Sequence, residues 1–108
     1  MCEFSEHIVL SENQQGQLSW CKCCQNYSLI YKSCCVAFSD QEFYAFRNTI
    51  LKLREEDYHY HFFDKKYAII KNETAPMGII LTAQDREELL DLLNEAKAIK
   101  EVFSIIYN

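Results

Sequence analysis

The chain carries six cysteines in 108 residues, and three of them crowd into the run Trp20-Cys21-Lys22-Cys23-Cys24-Gln25-Asn26. Cys21 and Cys24 have the C-x-x-C spacing that lets two thiolates grip one Zn²⁺ from a tight turn. A structural zinc completes its tetrahedron with two more ligands. Cys2 and His7 are the candidates for those places, provided the first strand pairs beside the cysteine hairpin. Asn26 tolerates the left-handed backbone that such a turn usually needs. Cys34 and Cys35 are adjacent, so on a strand they point to opposite faces and only one could join. Val36 and Phe38 share the face of Cys34. Two other readings of the thiols stay open. All six could pack as small reduced hydrophobes. Cys21 and Cys24 could instead form a redox pair, although redox pairs of this spacing usually sit at a helix N-terminus that lowers a thiol pKa.

His59-Tyr60-His61 puts two imidazoles on one face of a strand, where they could bind a metal with a carboxylate to complete the site. The competing reading is an exposed polar face opposite Tyr58, Tyr60 and Phe62. No catalytic constellation is visible. The chain has no G-x-S-x-G, no phosphate-cradling glycine loop and no H-E-x-x-H. Glu42, Glu55, Glu56, Glu87 and Glu88 read as helix caps and solvated helix faces.

Composition sets limits on function. The formal net charge is −5, and Lys65-Lys66 is the only adjacent basic pair. Such a chain repels phosphates, so nucleic acid is not an expected partner. No apolar run approaches the roughly 18 residues of a membrane span. The opening residues Met1-Cys2-Glu3-Phe4-Ser5-Glu6 lack the basic and apolar regions of a signal peptide. The expectation is therefore a soluble protein in a reducing cytoplasm, with thiols rather than disulfides.

The elements that must position these residues are legible from periodicity. Short strands are expected at His7–Leu10, Gln17–Cys21, Tyr27–Tyr31 and Ser33–Phe38, the middle two by their alternation. Ser39 and Glu42 form an S-x-x-E capping box. It opens a helix whose apolar stripe is Phe43, Phe46, Ile50 and Leu53. Strands at Tyr58–Phe63, Tyr67–Lys71 and Met77–Leu81 follow. The last two are apolar on both faces, as interior strands should be, and a loop from Asn72 to Pro76 joins them. Thr82 and Asp85 repeat the capping signal. The last helix starts near Ala83 and runs almost to the C-terminus, burying Leu89, Leu93, Ala96, Ile99 and Phe103.

These elements imply one α+β domain over residues 1–108, an antiparallel sheet with two helices on one face. Val36-Ala37-Phe38-Ser39 matches Ile79-Ile80-Leu81-Thr82 at an offset of 43. That correspondence reads either as a duplicated ββα unit, with halves 17–57 and 58–108, or as two ordinary strand–cap–helix junctions.

Gly16, Cys21, Cys24, Leu29, Tyr31, Phe38, Glu42 and Phe46 follow one pattern. It runs from a glycine to a C-x-x-C hairpin, then to an alternating aromatic strand and an acidic-capped helix. In this the segment from Gly16 to Ile50 resembles a family of short uncharacterised bacterial proteins. The resemblance implies no activity. It does imply Cys or His near the N-terminus, as at Cys2 and His7. Cys23, Cys34 and Cys35 depart from the pattern.

The expected function is a small non-enzymatic binding or protein-interaction module, with no catalytic residues and an unspecified ligand. The alternatives are a structural zinc domain on Cys21, Cys24, Cys2 and His7, and, more weakly supported, a thiol redox protein. The run Val102 to Tyr107 is apolar nearly all round, which suggests a homodimer through the C-terminal helix.

Overall fold

The computed structural model describes residues 7–71 and 78–107. The expected Asn72–Pro76 loop and Cys2 fall outside these residues. Among the described residues seven strands and two helices follow one another: β1 (His7–Glu12), β2 (Gly16–Cys21), β3 (Tyr27–Tyr31), β4 (Cys34–Phe38), α1 (Asp40–Leu51), β5 (Tyr60–Phe62), β6 (Lys65–Lys71), β7 (Gly78–Leu81) and α2 (Ala83–Tyr107). A single 3₁₀ turn, Glu55–Asp57, lies between α1 and β5.

The strands form two antiparallel sheets, ordered β1-β2-β3-β4 and β5-β6-β7. The α+β class stands, but the strands divide between two sheets instead of lining one. The break comes between β4 and β5, where α1 and the 3₁₀ turn carry the chain away before the second meander starts. Among the described residues β7 pairs with β6 alone and is an edge strand, so the interior position expected for it is corrected. Its apolar character has a different cause: Leu81 and Ile79 face the shared core while Ile80 stays half exposed.

Alternation decides which face of the first sheet is buried. Leu18 pairs with Leu29 and Trp20 with Tyr27. Val36 pairs with Leu29 and Phe38 with Tyr27. These residues share one face, and both helices lie on it. Phe43 and Ile50 of α1 and Leu89, Leu92, Leu93 and Ala96 of α2 complete one cluster with Leu18, Tyr27, Leu29, Tyr31 and Leu81. Each large apolar side chain buried this way stabilises the fold by roughly 1.5–3 kcal/mol before entropy is subtracted. Phe43 stacks on Tyr27 with ring centroids 4.4 Å apart.

Both capping boxes form. Glu42 N donates to Ser39 Oγ at 3.2 Å, and Ser39 N donates to Glu42 Oε1 at 2.9 Å. The same reciprocal pair joins Thr82 and Asp85, at 3.0 and 3.1 Å. The carboxyl pKa of Glu42 is lowered by the hydrogen bonds it accepts from Ser39. The C-terminus of α1 has no basic residue in its own last turn. Arg86 of α2 supplies the charge instead, donating to the carbonyls of Ile50 and Leu51 at 3.1 and 2.8 Å.

Three side-chain hydrogen bonds tie β1 and the turn after it to α2. A register shift between Val9 and Ser11 lets Leu10 and Ser11 both be buried, which strict alternation would forbid. Ser11 Oγ then donates to Leu92 O at 2.8 Å. Asn13 Nδ2 donates to Glu88 O at 3.1 Å, and Gln15 donates to the Glu88 carboxylate.

Candidate functional site

Two features build the cysteine corner. The first is the turn between β2 and β3. Cys21 N donates to Asn26 O at 2.9 Å, and Gln25 N donates back to Cys21 O at 2.8 Å. The four residues from Lys22 to Gln25 are thereby folded into a tight loop. Gln25, with φ 61°, holds the left-handed position. The sequence reading gave that position to Asn26. It falls one residue earlier, on Gln25.

The second feature is the register of β1 on β2, which sets His7 directly opposite Cys21. Both hydrogen-bonding groups of Cys21 point toward β3. Toward β1, the His7–Cys21 pair is therefore the close, non-hydrogen-bonded kind, with Cβ atoms about 4.5–5.5 Å apart. The condition for His7 to reach the hairpin, that the first strand lie beside it, is met.

Burial separates the thiols. Cys21 is buried and Cys34 half-buried, whereas Cys23, Cys24 and Cys35 are exposed. Three of the five described cysteines thus contribute little to packing, and the reading in which every thiol fills the core does not hold for them. Cys34 lies opposite Tyr31 on the core side and Cys35 opposite Ile30 on the other, as alternation requires. Neither shares the turn of Cys24. None of His7, Cys21 and Cys24 stands without an interaction partner. Among the described residues, no three of His, Cys, Asp and Glu form a group that could hold a metal. Cys2, the fourth expected ligand, is outside them.

Lys22–Cys24 is a turn between two strands, and the element that follows it in the chain is a strand, not the helix that usually follows a redox pair of this spacing. His59 and His61 are both exposed, and the His59 and Tyr60 rings lie with centroids 4.3 Å apart.

Sequence reasoning missed three polar groups that organise the site's surroundings. Tyr27 donates its hydroxyl to Asp40 Oδ1 at 2.7 Å, tying the strand after the cysteine turn to the first residue of α1. Lys100 lies over the Trp20 ring at 4.4 Å, one residue from Cys21. Ser11 reaches α2 only because of the bulge in β1. The bulge has no sequence signature, and the other two contacts join residues far apart in the chain.

Family comparison covers nearly the whole chain. The model of the "Family of unknown function (DUF6686)" matches residues 1–107, and the protein belongs to that family. No curated protein and no solved structure matches it.

Proposed function

With that family as the starting point, we propose that the protein is a small non-enzymatic binding or protein-interaction module; the second reading is a structural zinc domain in which Cys21 and Cys24 hold the ion with His7 and Cys2. The observation behind the zinc reading is the β1–β2 register. It puts an imidazole across from one cysteine of a C-x-x-C pair, at the foot of the turn that holds the other cysteine. Three thiolates and an imidazole are a donor set that favours Zn²⁺ in a closed tetrahedral site, structural in character. An exposed thiol at Cys24 suits a ligand better than a core filler. The left-handed residue directly after Cys24 gives the turn the curl that a metal knuckle needs.

The binding role is supported by apolar surface. Val102, Ile105 and Ile106 are half or more exposed at the end of α2. A second copy of the chain is the partner proposed for that helix. A net charge of −5 argues against nucleic acid.

The test is metal content of protein purified without chelator, followed by thermal melts with and without chelator. About one zinc per chain and a large chelator-induced loss of stability are expected, because metal binding adds to folding free energy. Cys24→Ser should lose the metal, and Cys23→Ser should keep it. Metal-free protein that melts identically in chelator would end the zinc reading and leave the thiols as side chains without a shared role.

A further inference from the structure

The backbone hydrogen bonds of the first sheet leave one of its edges open. Cys21 N donates to Asn26 O at 2.9 Å, and Lys32 N donates to Gln15 O at 2.9 Å. In an antiparallel ladder, successive residues turn their N–H and C=O groups to opposite sides. The even-numbered residues from Asn26 to Lys32 therefore bond toward β2, and Tyr27, Leu29 and Tyr31 bond toward β4. Their partners there are Phe38, Val36 and Cys34. The two residues between, Cys35 and Ala37, aim their N–H and C=O groups away from β3. Among the described residues β4 has no strand on that side. Both residues are exposed.

Proteins guard such edges with charges, prolines, bulges or short strands, because a row of unpaired backbone groups is a template for another strand. β1, at the other side of the same sheet, carries a register shift and ends in Glu12. β5 and β7 are three and four residues long. β4 has five residues, Cys34-Cys35-Val36-Ala37-Phe38, in unbroken register with β3 and without charge or proline.

We propose that β4 is a dimerisation edge, at which two copies of the chain pair antiparallel about a two-fold axis through Val36 and join their four-stranded sheets into one. The register follows from the open groups. Cys35 of each copy faces Ala37 of the other, and each such pair exchanges both N–H···O bonds, so every outward group of the two residues is satisfied. Moving the axis to Cys35 or Ala37 would set an outward residue of each copy against Ser33 or Ser39, beyond the strand. Side chains favour a second copy as the occupant. Val36 meets Val36 in the close, non-hydrogen-bonded pair, and Cys34 meets Phe38, apolar against apolar on the helix-bearing face. Cys35 meets Ala37 on the other face, small against small. No facing position from Ser33 to Ser39 is charged, so two chains of net charge −5 meet where neither carries charge. The edge is separate from the exposed end of α2 and does not rest on the contact proposed there. One strand pair buries less than the roughly 1,200 Å² of a stable interface, so the dimer is reversible and forms at high micromolar concentration.

The test follows single amides of the full chain by hydrogen exchange in nuclear magnetic resonance, on dilution from about a millimolar to tens of micromolar. Sedimentation covers the same range. The expected result is a dimer at the upper end, with protection at Cys35 and Ala37 that falls on dilution while Val36, bonded to β3, stays protected. Ala37→Pro removes an outward N–H that β3 does not use, and edge strands accept proline at such a position. It should weaken dimerisation by about tenfold or more through lost ladder bonds, with the melting temperature of the dilute monomer unchanged. Ala37→Ser keeps the N–H and should keep the dimer. A dimer whose Cys35 and Ala37 amides exchange freely at every concentration would sink the edge. So would one that survives Ala37→Pro but dissociates with Ile105→Asp, which would leave the α2 contact standing. A monomer throughout would sink both. Protection at Cys35 and Ala37 that ignores dilution would mean that the chain covers its own edge, and would overturn the proposal as well.

Discussion

At the scale of single residues, two tyrosines on the same strand show how one hydroxyl can stabilise and another cost. Tyr27 and Tyr31 both lie in β3 and both are buried. Tyr27 donates a hydrogen bond to Asp40, but the Tyr31 hydroxyl has no hydrogen-bond partner among the described residues. An unsatisfied buried hydroxyl costs about 1–3 kcal/mol, and removing it from both sides of the balance is close to free. Tyr31→Phe should therefore raise stability by about 1 kcal/mol, and Tyr27→Phe should lower it by a similar amount. Chemical denaturation of the two variants checks the pair. Alkaline pH gives a second check. Burial raises the pKa of Tyr31 well above the ordinary phenol value, with help from the charges of Asp85 and Glu88. Burial and the Asp40 bond do the same for Tyr27. The folded chain then holds these protons more tightly than the unfolded chain does. Their contribution is complete below about pH 10, where the unfolded phenol begins to ionise, and is lost as pH climbs beyond it. Tyr31→Phe should flatten the alkaline fall in stability. An unchanged profile would mean that Tyr31 ionises as easily in the folded chain as in the unfolded one.

The elements carry a clear record of what the sequence could and could not specify. Both helices were legible from their starts, because Ser39 with Glu42 and Thr82 with Asp85 are local signals needing no tertiary contact. Every expected strand was also present, within a few residues at its ends. What stayed hidden was pairing. The split into two sheets, the edge position of β7 and the bulge at Leu10 all depend on which strands meet, and alternation says only which side of a strand is greasy. The cysteine corner was legible in part for the same reason. Spacing identified Cys21 and Cys24, but only the observed register set His7 across from Cys21. Gly16 shows how a pairing constraint can hide in one residue. A Cβ there would sit 2.1 Å from Ile30 O in the neighbouring strand, far inside contact distance. Gly16→Ala must push β2 away from β3 at the point where their register begins, and a loss of more than about 2 kcal/mol is expected. Gly78→Ala is the control: its nearest contact is 3.1 Å, at the end of an edge strand, so β7 can give way. Equal losses from the two substitutions would show that the close approach at Gly16 is relieved by a small backbone shift.

At the scale of the whole molecule, a proposed zinc site at the start of β1 would be either a local appendage or part of the cooperative unit. The answer turns on β1. Its first residue, His7, belongs to the proposed metal site, and four residues later Ser11 donates into the backbone of α2 at Leu92. Leu10 between them sits in the same cluster as Leu18, Leu89 and Leu93. A metal that fixes the start of β1 therefore stabilises the contact between the first sheet and the long helix, and α2 in turn reaches Leu81 of the second sheet. Ligands that bind only the folded state add their binding free energy to the entire cooperative unit. Chelator should accordingly lower one transition that is shared by the helical far-ultraviolet signal and the aromatic signal dominated by Trp20 beside the corner. The difference between metal-loaded and chelated protein should also shrink as pH falls, since the cysteine and histidine ligands must be deprotonated to bind. If the Trp20 signal shifts while the helical melt stays fixed, the corner is a local appendage, and β1 does not transmit its stability to the rest of the fold.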